Sequence, residues 1–216
     1  MTDRFSPRLW RLYVITDETV SRGRTHLQVA EAAILGGADA IQLRDKEAPG
    51  GKLYRVALQL RGLTREANIP LIVNDRVDIA LAVDADGAHV GQGDLPASVA
   101  RNLLGAGKIL GVSAGSEEEA GRAEQDGADY LGVGPVFEAR GTKPDAREPA
   151  GLDLIGRIRR RSRLPIVAIG GIDVENARSV REAGAGAAAV ISAVAAAEDI
   201  ARAAADLKRR LQGTGR

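Results

Sequence analysis

LIVNDRVDIALAVDADGAHVGQGD, residues 71–94, reads as two short apolar strands joined by a helix-length segment. Leu71–Val73 runs straight into Asn74 and Asp75, and Ala88–Val90 is followed shortly by Asp94. In a parallel α/β sheet successive strand ends reach the same rim. Carboxylates distant in the chain can then share one hard cation. The intervening Val77–Val83 has the length of a crossover helix.

The alternation extends in both directions. Strands are expected at Leu12–Ile15, Ala40–Leu43, Ile109–Val112, Tyr130–Val133, Ile166–Ile169 and Ala187–Ile191. Helical spacing covers Leu27–Leu35, Leu53–Ala67, Val99–Leu104, Glu117–Gln125, Leu152–Arg161, Asn176–Ala183 and Asp199–Leu211, with Ser116 as an N-cap. Strand–helix pairs at roughly 25-residue spacing predict an α/β protein with a (β/α)8 TIM barrel. The whole chain, 1–216, is expected to form one domain, with residues 1–11 as an N-terminal extension. A weak repeat supports the barrel: GADAIQL (37–43), DGAHVGQ (86–92), GADYLGVG (127–134) and GAGAAAVIS (184–192). Each is read as Gly-Ala between a helix end and a strand, with Gly as a left-handed cap. An open doubly wound sheet is the competing architecture. It is disfavoured because neither Gly91-x-Gly93 nor Gly132-x-Gly134 is completed by a third glycine.

Composition excludes several classes. With 216 residues, 44% of them hydrophobic, the chain can bury one sizeable core. Thirty basic against 29 acidic residues leave a net charge of +1, with no surplus for nucleic acid or an anionic membrane. One Trp, three Tyr and two Phe are too few for a base-stacking platform. Without cysteine there is no disulfide, thiolate nucleophile or Cys-ligated zinc. The longest apolar run, 184–197, is shorter than the ~20 residues of a membrane span. A soluble cytoplasmic protein acting on small molecules is expected, and homo-oligomer formation is left open.

Strand ends in a barrel build the active site. After the second expected strand, Gln42, Arg44 and Lys46 alternate along one side of the chain, with Leu43 and Asp45 between them. Two cations and an amide suit a multiply charged anion such as pyrophosphate. Asn74, Asp75 and Asp94 suit Mg²⁺, which takes one or two carboxylates and leaves positions for phosphate oxygens. Ser113 ends the fifth strand, with no nearby His in sequence to activate it. The aperiodic stretch 135–151 carries Arg140, Gly141, Thr142 and Lys143 and reads as a lid. Gly170-Gly171 after strand seven and Ile191-Ser192 after strand eight offer backbone N–H groups to a phosphate. His89 reads as structural and His26 as a helix-start residue.

Taken together, IQLRDK (41–46), LIVNDRVDIAL (71–81), DGAHVGQGD (86–94), GVSA (111–114), GADYLGVGPVF (127–137), TK (142–143), IGGI (169–172) and IS (191–192) resemble the thiamine phosphate synthase family. The resemblance implies Mg²⁺-dependent coupling of hydroxymethylpyrimidine pyrophosphate to thiazole phosphate. It implies a dissociative substitution in which pyrophosphate leaves before the thiazole nitrogen attacks. Gln42, Arg44, Lys46, Asn74, Ser113 and Lys143 would bind the pyrimidine pyrophosphate; Arg44, Lys46, Ser113 and Lys143 would act in the chemistry. Leu43, Asp45, Arg140 and Gly141 belong to the same contact stretches. Asp75 and Asp94 would hold the metal, and Thr142, Gly171, Ile191 and Ser192 would face the thiazole phosphate. The chain departs from the family pattern at Ser113-Ala114-Gly115-Ser116, where Ser-x-His-Ser is usual, and at Arg140-Gly141-Thr142-Lys143, where Thr-x-Thr-Lys is usual. A related thiazole tautomerase needs a His at Gly115, which argues against it. A phosphosugar isomerase on the same barrel and a non-catalytic phosphate sensor are the remaining alternatives.

Overall fold

The computed structural model describes residues 6–138 and 148–212. Eight parallel strands close into a barrel in chain order. They are β1 (Leu12–Thr16), β2 (Ala40–Leu43), β3 (Leu71–Asn74), β4 (Gly87–Val90), β5 (Ile109–Ala114), β6 (Tyr130–Val133), β7 (Ile166–Ile169) and β8 (Ala187–Val190). The outer layer is α1 (His26–Leu35), α2 (Gly50–Ala67), α3 (Val77–Ala82), α4 (Ala97–Leu104), α5 (Glu117–Gln125), α6 (Gly151–Arg161) and α7 (Ala177–Glu182). A four-residue α8 (Ser192–Ala195) precedes α9 (Ile200–Gln212). The expected TIM barrel is therefore the observed one. Among the described residues, no helix is long and apolar enough to cross a membrane.

Period-two alternation divides each strand between two cores. Leu12, Val14, Ile41, Leu43, Leu71 and Val73 pack outward under the helices. Tyr13, Ile15, Ala40, Ile72, Tyr130, Val167, Ala187 and Ala189 fill the barrel itself. Trp10 belongs to that inner cluster, with its ring centroid 5.1 Å from that of Tyr13 and 5.3 Å from that of Tyr130. The segment before β1 thus plugs the barrel floor. Large rings fit because their neighbours are small. A Cβ on Gly111 would lie 2.1 Å from Tyr130 Cζ, and one on Gly132 would lie 2.8 Å from His89 Cε1.

The repeat holds at three of its four places. Gly37, Gly127 and Gly184 all have positive φ at a helix end. In the 86–92 copy, Gly87 lies inside β4, and the left-handed residue is Asp84 at φ 52°. The register was hidden because Asp replaces Gly there. A shared aspartate follows: Asp39 accepts from Leu12 N, Asp86 from Leu71 N and Asp129 from Leu110 N, each at 2.7–2.9 Å. Each ties an even strand to the start of the odd strand before it.

Replacing Gly111 by Ala is expected to destabilise the protein by roughly 1–3 kcal/mol through overpacking. Gly62, exposed within α2 with nothing within 4 Å of a Cβ, is the control. Gly62→Ala should stabilise by about 0.5–1 kcal/mol. Thermal unfolding of both variants reads the difference; equal effects would contradict this packing.

Candidate functional site

The C-terminal ends of the strands open into a cavity of about 900 Å³. Lys46, Asp94, Ser113, Gly171, Ile191 and Ser192 all line it. Residues drawn from five strand ends thus meet at one mouth.

Backbone geometry fixes the acidic side. Asp75 has φ 60°, and its N–H donates to His89 O at 2.8 Å, so the end of β3 is pinned to β4. Asp94 is held by its own turn, its Oδ2 accepting from Gly91 N at 2.8 Å. The Asp75 and Asp94 side chains meet in a hydrogen bond. Burial first, then that bond and the charge of Asp94, push the Asp75 pKa up to about 6. Lys46 Nζ, 3.7 Å from Asp75 Oδ2, and the more distant Arg44 partly offset this. Arg44 itself pairs with Asp17 at the end of β1, both largely buried. Asp17 was not among the residues expected from sequence; the signal was its position directly after a strand.

Three carboxylates (Asp17, Asp75, Asp94) therefore face two cations (Arg44, Lys46). A divalent ion would reverse that balance among these described residues. The donors are hard oxygens, with Asn74 half-buried beside them at the end of β3. Such a set fits Mg²⁺ and not a soft metal.

Below the mouth runs a chain of hydrogen bonds that the sequence did not disclose. Gln42, 2% exposed, donates from Nε2 to Tyr13 Oη at 2.8 Å. Tyr13 Oη lies 3.0 Å from Tyr130 Oη, which lies 2.9 Å from His89 Nδ1. His89 Nε2 lies 2.9 Å from Ser113 Oγ. Burial raises the pKa of both tyrosines, so both keep their protons. Gln42 donates at one end, and the two tyrosine hydroxyls and the imidazole carry the chain on to Ser113 at the cavity. The expectation that Ser113 has no His nearby is corrected, since β4 supplies one from 24 residues away.

Two members of the 42–46 stretch face elsewhere. Leu43 is fully buried in the outer core. Asp45 Oδ1 accepts from Glu47 N and Ala48 N, and its Oδ2 faces His26 and Lys52. Neither residue lines the cavity. On the opposite side, Gly170 and Gly171 have φ of 103° and 60°. A Cβ on Gly171 would sit 2.5 Å from Glu138 O, so this turn requires glycine. At α8 the first intrahelical bonds are those of Val194 N and Ala195 N to Ile191 O, beyond Ser192. Arg140, Gly141, Thr142 and Lys143 lie outside the described residues.

Comparison with known proteins is consistent with this geometry. The profile of the family described as thiamine monophosphate synthase matches residues 12–194. A thiamine-phosphate synthase of Chloroflexus aurantiacus is 58% identical over 199 residues, covering 92% of this chain and 91% of that protein. One from Methanocella arvoryzae is 53% identical over 197 residues, covering 91% and 92%. Among solved structures, a thiamine phosphate pyrophosphorylase of Pyrococcus furiosus superposes with a TM-score of 0.88 at 43% identity, covering 95% of this chain and 97% of that one.

The paired carboxylates set a pH dependence. Asp75 titrates near 6 in the fold against 3.8 ordinarily, so the folded state binds the extra proton. Its ionised form costs stability in full above about pH 6; the cost fades as pH falls from there and is gone below the ordinary 3.8. Metal-free Asp94→Asn is therefore expected to be more stable than the parent by about 1 kcal/mol at pH 8, read as a higher unfolding temperature. The gain should shrink below pH 6; a constant gain would contradict the pairing.

Proposed function

From membership of the thiamine monophosphate synthase family, to which this chain belongs, we propose that it couples hydroxymethylpyrimidine pyrophosphate to thiazole phosphate with Mg²⁺. Thiamine phosphate and pyrophosphate are the products, and the enzyme is a transferase. The observation that carries the proposal is Asp75 facing Asp94 and Lys46, two residues that line the cavity.

Asp75 and Asp94 would hold Mg²⁺, with Asn74 alongside; the bound ion would supply positive charge against the leaving pyrophosphate. Arg44 and Lys46 bind the same group's oxygens and stabilise the charge that grows as the carbon–oxygen bond breaks. Asp17 keeps the Arg44 guanidinium directed along the rim. Ser113, oriented by His89, donates its hydroxyl proton to the pyrimidine. Across the cavity, Gly171, Ile191 and Ser192 seat the thiazole phosphate through backbone N–H groups and the serine hydroxyl. Thr142 and Lys143 would close over both ligands. The substitution is dissociative: the pyrimidine methylene cation forms first and the thiazole nitrogen attacks it. No general base is needed, which matches a mouth whose one histidine is committed to orienting a serine. The deep cavity keeps water from trapping the cation.

The test is to mix purified protein with both substrates, with and without Mg²⁺, and to follow thiamine phosphate. Product is expected only with the metal, and Asp94→Asn should lower turnover on the order of a hundredfold or more while the protein stays folded. Absence of product with Mg²⁺ present would overturn the reading.

A further inference from the structure

Behind the ends of β1 and β2, on the helix side of the mouth, lies a second group of ligand-type side chains. Glu18 follows Asp17, His26 opens α1, and Asp45 stands between Arg44 and Lys46. One ligand atom from each lies within 4.8 Å of the others.

The His26 ring is oriented by its partners. Its ring is 1% exposed, and Nδ1 lies 2.9 Å from Thr16 Oγ1. The Thr16 hydroxyl donates its own proton to Gln42 O at 3.2 Å, so toward His26 it accepts. Nδ1 is thereby satisfied by Thr16, and Nε2 is the ring atom turned toward the acids. Among the described residues no hydrogen-bond partner reaches Nε2. It points at Asp45 Oδ2, 3.5 Å away, and Glu18 Oε1, 4.0 Å away. One imidazole nitrogen and two carboxylate oxygens thus converge, with Glu18 Oε1 also accepting from His26 N at 3.3 Å, and Nε2 is left without a well-formed hydrogen bond. Lys52 Nζ neutralises the carboxylates, at 3.2 Å from Glu18 Oε2 and 3.5 Å from Asp45 Oδ2, but leaves the imidazole unsatisfied.

We propose that Glu18, His26 and Asp45 form a binding site for a divalent transition ion of the Zn²⁺ or Co²⁺ type. One imidazole nitrogen and two carboxylate oxygens with open positions for water make a recognised donor set. Tetrahedral ligands at ~2.0–2.1 Å from an ion stand about 3.4 Å apart, close to the His26–Asp45 separation. Glu18, about a third exposed, can swing the remaining distance. The supporting shell is in place: Thr16 orients the imidazole, and the N–H groups of Glu47 and Ala48 fix Asp45. Imidazole favours a borderline ion over Mg²⁺, so this site and the Asp75–Asp94 pair select different metals. Occupancy would clamp the β1 and β2 loops together, and with them the Asp17–Arg44 pair and the base of Lys46.

The experiment is a Co²⁺ titration of the full chain in saturating Mg²⁺, followed by visible absorption. One equivalent of Co²⁺ should give a d–d band that His26→Gln abolishes. Glu18→Gln, at a more exposed position, should weaken binding at least tenfold and serves if the buried substitution impairs folding. Lys52→Met removes the competing ammonium and should tighten binding roughly five- to tenfold. No band in the parent, a band unchanged in His26→Gln or Glu18→Gln, or weaker binding in Lys52→Met would each overturn the proposal. A His26 ring with protons on both nitrogens would do the same, marking the cluster as an ion-pair network.

Discussion

Two carboxylates held face to face against their mutual repulsion organise this protein's mouth. Asp75 and Asp94 belong to consecutive strand–loop units, and neither is placed by chance. The hydrogen bond from Asp75 N to His89 O and the left-handed backbone at Asp75 aim one; the tight turn from Gly91 aims the other. An arrangement that raises the Asp75 pKa to about 6 works against the apoprotein's stability. Under the proposed function, a divalent ion shared by both carboxylates would relieve that repulsion. Everything around the pair then acquires a role: Lys46 and Arg44 as the cationic half, and Asp17 as the anchor of Arg44.

The barrel makes that meeting possible at low cost. Small residues at Gly111 and Gly132 admit the rings of Tyr130 and His89 into the interior. Those rings carry a hydrogen-bonded chain from Gln42 to Ser113. Packing and site are thus coupled through one set of side chains: the inner core that Trp10 closes from below also holds the imidazole that contacts Ser113 above. Rigid strands position the site, while the loops on their ends differ in chemistry.

Much of this was legible in the chain because the barrel repeats a simple pattern. The ends of β6, β7 and α5 fall where periodicity puts them, since apolar runs there are bounded by Gly, Pro or a serine cap. The 86–92 copy of the repeat was read in the wrong register, because Asp84 takes the left-handed role that glycine has elsewhere. Alternation placed Gln42, Arg44 and Lys46 on one side but gave no depth, so the burial of Gln42 under Tyr13 was invisible. Partners were the least legible of all. Nothing local links Asp17 to Arg44, His89 to Ser113, or Asp45 to His26; barrel closure brings them together. His26 does begin a helix, yet its buried ring faces Glu18 from its own loop and Asp45 from the next.

Pyrophosphate binding measured by calorimetry with and without Mg²⁺ tests the shared-ion account most directly. Because acids outnumber cations in the described mouth, Mg²⁺ should strengthen pyrophosphate binding at least tenfold, and Asp75→Asn should erase that gain. Equal affinity with and without the metal would contradict the claim that these two carboxylates exist to hold it.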